Sequence, residues 1–202
     1  MDAKHILENI VIAGFEKCVG KLSKMSAGRW SLADVKVSRG ALSEISLDRN
    51  AGEGGSAVYF EISDNRPLAA MVIFQSADIA LISKCFLGFA FPRMADIDQA
   101  EDLLLSELGN ILLNAFTGSL SNALKRSYIP PGPKCLKGER RFLLESLAAV
   151  LEKRQKYSLI SIMLDLQCDH LITRAEVVGI TPEKLEEELE KASGGELSGD
   201  LR

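Results

Sequence analysis

In the stretch EDLLLSELGNILLNAFTGSLSNALKRSY, from Glu101 to Tyr128, Glu107 and Asn110 stand three residues apart. On a helix that spacing aims a carboxylate and a carboxamide the same way, one turn apart. The carboxylate is an ion-pairing handle for a cationic partner. The carboxamide donates and accepts at once, so it can hold a water without needing any particular pKa. The pair is therefore the place in the chain to look for chemistry. Asn114, Thr117 and Ser121 continue the polar stripe and read as solvated surface or docking rim, and Lys125 as a favourable charge near a helix C-terminus.

Three other patterns compete and are weaker. Cys135-Leu-Lys-Gly-Glu-Arg-Arg141 satisfies the C-x5-R spacing of cysteine-dependent phosphatases ahead of a predicted helix. Lys134 and Phe142 are the wrong neighbours for that loop, however, and Glu139 would put a negative charge in the anion cradle. Cys168-Asp-His170 crowds three candidate ligands into one turn with no fourth, which is poor zinc geometry. Gly52–Gly55 has no following Lys-Ser/Thr and reads as a flexible turn rather than a phosphate loop. His5 reads as a surface residue of the first helix, and Trp30 as packing the end of that helix onto a sheet.

The elements that must carry Glu107 and Asn110 follow from periodicity. Residues Glu101 to Tyr128 contain no Pro and two Gly, and Leu104, Leu105, Leu108, Ile111, Leu112, Ala115, Phe116, Leu120 and Ala123 fill one apolar arc, so a long helix is predicted. Ala3 to Met25 predicts a first helix ending at Ala27-Gly28. Asp34 to Leu47 alternates loosely, as one or two strands, and Asn50–Ser56 is a flexible turn. Ala57–Ile62 and Leu68–Phe74 predict a hairpin turning at Ser63–Pro67, and Ser76 N-caps a short helix through Leu87. Gly88 to Asp98 connects to the long helix, and Ile129–Pro133 breaks the chain after it. Glu139–Lys153 predicts a helix, Tyr157–Leu166 and Leu171–Ile180 a second hairpin, and Thr181-Pro182 the N-cap and first residue of a last helix reaching Ala192.

Each half thus reads helix, irregular segment, hairpin, helix, as in an internal duplication. Gly20-Lys-Leu-Ser23 matches Gly118-Ser-Leu-Ser121 at an offset of 98. The expected organisation is one domain over residues 1–192, with halves 1–97 and 98–192, and a flexible tail over 193–202.

Bulk properties narrow the function. The 202 residues are 47% hydrophobic, enough for one sizeable domain, and the net charge of −4 comes from interspersed charges with no basic stripe, which argues against nucleic acid. The most apolar window, Leu68–Phe91, is interrupted by Gln75, Asp78 and Lys84, so it predicts no membrane span. Four scattered cysteines and no signal-peptide pattern point to a soluble protein of a reducing, cytoplasmic compartment.

Ser106-Glu-Leu-Gly-Asn-Ile-Leu112, followed by Pro133, resembles the motif of the CheC/CheX/FliY phosphatases of bacterial chemotaxis. That motif is an acidic residue or Ser, three residues, Glu, two residues, Asn, and a Pro after a gap of 22. The resemblance implies an α+β fold (an α/β sandwich) of pseudo-two-fold halves, with an antiparallel sheet and long paired helices packed across it. It implies accelerated loss of the aspartyl-phosphate of a CheY-type response regulator. Asn110 would orient the water and Glu107 would pair with the regulator's active-site Lys, while Leu103, Asn114 and Pro133 would meet the partner. No cofactor or metal of its own is implied, because Mg²⁺ would belong to the regulator. A CheD-type deamidase is a further partner, with the protein a monomer or homodimer. The alternative on the same fold is a non-catalytic module binding a regulator or a flagellar-switch partner.

Two departures bear on that choice. Leu103 stands where the family has an acidic residue or Ser, and neither Asp102 nor Ser106 substitutes, since each points roughly 60–100° away. In the first half the counterpart of Asn110 is Ile12 at an offset of 98 or Val11 at 99, and that of Glu107 is Asn9 or Glu8, so one intact site is expected.

Overall fold

Two apolar helical stripes and two hydrophobic hairpins have to bury against each other, and a single sheet solves the problem. The computed structural model describes residues 3–41, 54–62, 67–87, 97–149, 151–152 and 155–196. The elements are α1 (Ala3–Met25), β1 (Arg29–Ala41), β2 (Gly55–Ile62), β3 (Leu68–Gln75), α2 (Ser76–Leu87), α3 (Ile97–Leu124), β4 (Lys134–Gly138), α4 (Arg140–Ala149), β5 (Lys156–Cys168), β6 (Leu171–Pro182) and α5 (Glu183–Glu196). The predicted turns at 50–53 and 63–66, the connection 88–96, the strand residues beyond Ala41 and the tail from 197 lie outside the described residues.

The sheet is antiparallel in the order β1-β5-β6-β3-β2-β4. Exchanging the halves (β1 with β4, β2 with β5, β3 with β6) reverses this order and leaves it unchanged. A pseudo-two-fold axis therefore passes between β3 and β6, and each half lends its first strand to the edge of the other. The architecture is α+β with pseudo-two-fold halves, as the sequence implied.

Alternation along the strands gives the sheet two faces. One receives α1 and α3, whose Leu7, Val11, Phe15, Leu108, Leu112 and Phe116 are sealed against Val58, Val72, Ile160 and Val177. Full burial of each large side chain stabilises by roughly 1.5–3 kcal/mol. On the other face α4 covers only one part, through Leu143, Leu144 and Leu147 over Met71, Tyr157 and Ile180. By length and composition α3 could cross a bilayer, but its apolar side lies on the sheet, as in a soluble core helix.

Several expectations need correction. The helix α3 begins at Ile97 and ends at Leu124, because Lys125 adopts φ 51°. Arg126 N–H then bonds Ser121 O at 3.0 Å and Lys125 N–H bonds Asn122 O at 3.4 Å, a Schellman cap without its usual glycine. Thr181 and Pro182 belong to β6, paired with Ser158 and Tyr157, so α5 starts at Glu183 and runs to Glu196, past Ala192. Ser76 opens α2, but its hydroxyl donates to Gly54 O at 2.6 Å rather than accepting from the helix terminus. The edge strand β4 was not foreseen at all. No spacing in the sequence joined Cys85 of α2 with Cys168 of β5, which form a disulfide.

Candidate functional site

The long helix is positioned by one close approach. At Gly109 a Cβ would stand 2.5 Å from Val58 Cβ, so only a glycine lets α3 lie directly on β2 there. Val58 pairs with Cys135 of β4, and Lys137 of β4 forms an ion pair with Asp102 at 2.6 Å. The start of β4 therefore flanks α3 near Gly109, and Pro133 precedes it, half-buried, two residues from the strand position beside Val58. Asn110 is the next helix residue after the glycine.

Burying Gly109, Leu112, Leu113 and Phe116 turns the opposite side of α3 outward. Glu107 is exposed and makes no hydrogen bond or ion pair among the described residues. Asn110 is half-buried, and its Oδ1 accepts a hydrogen bond from Asn114 Nδ2 at 3.1 Å. That bond leaves the Asn110 Nδ2 hydrogens and one lone pair of Oδ1 to face a ligand. Leu103 lies one turn before Glu107 and is 65% exposed. Glu107, Asn110, Asn114 and Leu103 thus share one outward surface, and Asp102 is already engaged by Lys137.

Not all of the polar stripe belongs to that surface. Thr117 is 3% exposed and donates to Leu113 O at 3.1 Å, so it is a core residue whose hydroxyl is satisfied by its own helix. Ser121 is half-buried and accepts from Tyr128 N–H at 3.3 Å. Both serve the helix rather than a ligand.

The rival patterns lose their geometry. Cys135 lies within β4 and Arg141 on α4, where it pairs with Glu145 at 2.7 Å, so no loop wraps an anion between them. The sulfur of Cys168 is taken by Cys85, and Asp169 pairs with Lys84 at 3.1 Å. The Cys18 thiol is pushed up to about 11, chiefly by burial, with Lys21 opposing, which makes it a poor nucleophile. His5 is exposed beside Glu8 at 3.0 Å. Trp30 is buried at the end of α1, its backbone N–H donating to Ser23 Oγ at 2.8 Å and its ring 6.2 Å from that of Phe86.

Burial also decides how the two halves align. Of the seven buried residues of α1, six fall on buried residues of α3 at an offset of 98: Leu7 on Leu105, Val11 on Gly109, Phe15 on Leu113, Cys18 on Phe116, Val19 on Thr117 and Leu22 on Leu120. At 99, Phe15 would fall on the exposed Asn114. The counterparts of Glu107 and Asn110 are therefore Asn9 and Ile12, and an apolar residue stands where an amide would be needed.

One feature of the surface escapes a search for catalytic spacings. The pseudo-two-fold sets α1 and α3 antiparallel on one face, with Gly14 against Ser119. Lys17 and Lys21 of α1 accordingly line the same groove as Ile111 and Asn114 of α3. The signal was present in the sequence as Lys17, Lys21 and Lys24 at helical spacing, but nothing linear connects them with Asn110.

No protein-family model matches the sequence, nor does any curated protein. Among solved structures, Thermotoga maritima FliY superposes with a TM-score of 0.67 at 12% identity, covering 96% of each chain. The FliM of the FliM–SpeE complex from H. pylori superposes at 0.58 with 12% identity, over 95% of this chain and 96% of that one. The chemotaxis protein CheX from Desulfovibrio desulfuricans gives 0.52 at 14% identity, over 85% of this chain and 98% of that one. The fold is thus the one shared by FliY, CheX and the FliM middle domain, in keeping with the resemblance carried by the Glu107-x-x-Asn110 motif.

Proposed function

We propose that the protein accelerates hydrolysis of the aspartyl-phosphate of a CheY-type response regulator. The observation that carries this reading is the pairing of an exposed Glu107 with an Asn110 whose Oδ1 is already engaged by Asn114, on the outward side of α3. Asn110 holds the attacking water through Nδ2 and its remaining lone pair, in line with the phosphorus. Glu107 pairs with the regulator's active-site Lys and so fixes the regulator's register. Phosphoryl loss has a loose transition state and asks for position and charge more than for covalent help. The Mg²⁺ that offsets phosphoryl charge belongs to the regulator.

The test is a time course of regulator dephosphorylation with catalytic amounts of the protein. Asn110→Ala is expected to abolish the acceleration while leaving binding in place. Unchanged regulator decay across cognate regulators, with binding intact, overturns the catalytic reading.

A second reading is favoured by Leu103, 65% exposed where an acidic residue or Ser is expected. On it the same surface binds a signalling or flagellar-switch partner without turnover. Binding that Leu103→Asp weakens and Asn110→Ala leaves alone would select this reading.

A further inference from the structure

At the offset of 98, Lys17, Lys21 and Lys24 of α1 correspond to Ala115, Ser119 and Asn122 of α3. The pseudo-two-fold makes this comparison an internal control. Lys17 and Lys21 line one groove with Ile111 and Asn114 of α3, and Asn114 is hydrogen-bonded to Asn110. Beside Asn9 and Ile12, where the motif is absent, the equivalent places are held by an alanine, a serine and an asparagine. All three lysines are exposed, and none makes an ion pair or hydrogen bond among the described residues. They occur in a chain whose net charge is −4, so the stripe is not a consequence of a generally basic surface.

We infer that the lysine stripe of α1 is the docking surface for the anionic face of the phosphorylated regulator, presented across the groove from Asn114, the hydrogen-bond partner of Asn110. This rests on the phosphatase reading and adds to it. An aspartyl-phosphate and the carboxylates around it make a strongly negative target, and a row of cations at one side of the water-holding amide complements it. The cations are exposed, so they act on encounter and orientation more than on the bound chemistry. The half that lost its own amide contributes the charge, and the half that kept it contributes the position.

The experiment measures association of a panel of CheY-type receiver domains, activated with beryllofluoride, at several salt concentrations. Lys17→Ala/Lys21→Ala is expected to slow association about tenfold at low salt, with the difference gone by roughly 0.5 M. In dephosphorylation it raises KM and leaves kcat near the wild-type value. Lys36→Ala, on the edge strand β1 and paired with Asp34 at 2.7 Å, removes a charge elsewhere and is the control. Lys24→Asn/Asn122→Lys moves one lysine to its pseudo-two-fold position at constant composition, and is expected to slow association as much as Lys24→Ala. Association of the double variant equal to that of the wild type or of Lys36→Ala overturns the proposal, as does failure of every receiver domain to bind. Lysine-dependent binding with no acceleration of phosphate loss upholds the surface and sinks the phosphatase reading instead.

Discussion

The seating of α3 on the sheet can be tested with two identical substitutions on one helix. At Gly109 an added methyl carbon stands 2.5, 2.7 and 2.8 Å from three carbons of Val58. Carbon atoms pack best at about 3.5–4.0 Å, so the overlap is on the order of 1 Å against a strand that cannot retreat. Overpacking of this kind costs roughly 1–3 kcal/mol, and the helix gains about 1 kcal/mol when alanine replaces glycine. Gly109→Ala should therefore lose up to about 2 kcal/mol. At Gly118 the same methyl meets nothing within 4 Å. Gly118→Ala should accordingly gain about 0.5–1 kcal/mol from propensity alone. Urea denaturation at unchanged m-value reads both, and the variants should differ by the overpacking cost, about 1–3 kcal/mol in stability. A shift of α3 by about 1 Å also displaces Glu107 and Asn110, and misplacement on that scale can lower turnover on the order of a hundredfold. If Gly109→Ala proves as stable as Gly118→Ala, α3 does not rest on β2 at Val58, and the placement of Asn110 falls with it.

Asn114→Asp should lower kcat of regulator dephosphorylation by roughly tenfold, because a carboxylate can only accept and would turn the Asn110 amide over. Kinetics equal to the wild type would mean that Asn114 does not set that orientation. Burial raises the Cys18 thiol from 9.0 to about 11, so the unfolded chain ionises first and stability present below pH 9 is lost as pH climbs toward 11. The contribution is at most about 1.4 kcal/mol per pH unit, and Cys18→Ala should flatten the alkaline limb of the denaturation midpoint by that much. Arg39→Met should cost about 2 kcal/mol, since it leaves the carboxylate of Glu186, 2% exposed, with Ser158 as its remaining described partner. Adding Glu186→Gln should restore part of that loss, and the absence of any restoration would show that Arg39 acts through packing instead.

What the sequence made legible is what repeats along an element. The stripe of α1, the apolar arc of α3 and both hairpins follow from period and turn composition, and these are the parts that define the sheet. The misses share a cause, which is that a distant partner decides the local conformation. β4 has exposed Lys134, Cys135 and Lys137, and it is a strand only because β2 offers an edge. Thr181-Pro182 has the composition of a helix start, but pairing with β5 holds it extended. Lys125 takes a left-handed conformation usually filled by glycine, so the end of α3 carried no punctuation. Cys85 and Cys168 are 83 residues apart, and no spacing rule joins them. That Glu107 and Asn110 share one outward side of α3 was readable because three residues on one helix is a local relation. The lysines across the groove were not, because their relation to Asn110 exists only through the α1–α3 packing.

The same contrast accounts for the divergence of the halves. Six buried positions of α1 remain in step with α3 at the offset of 98, although their residue types differ: Val11 answers to Gly109, and Cys18 to Phe116. Each helix must close over the same sheet from opposite directions, so what is retained is burial at fixed intervals, with volumes exchanged between neighbours. Outward positions carry no such obligation. There Ile12 answers to Asn110, Asn9 to Glu107 and His5 to Leu103, while lysines answer to Ala115, Ser119 and Asn122. Lys17 and Lys21 line one groove with Asn114, which is the arrangement expected if both helices serve one anionic partner instead of one partner each.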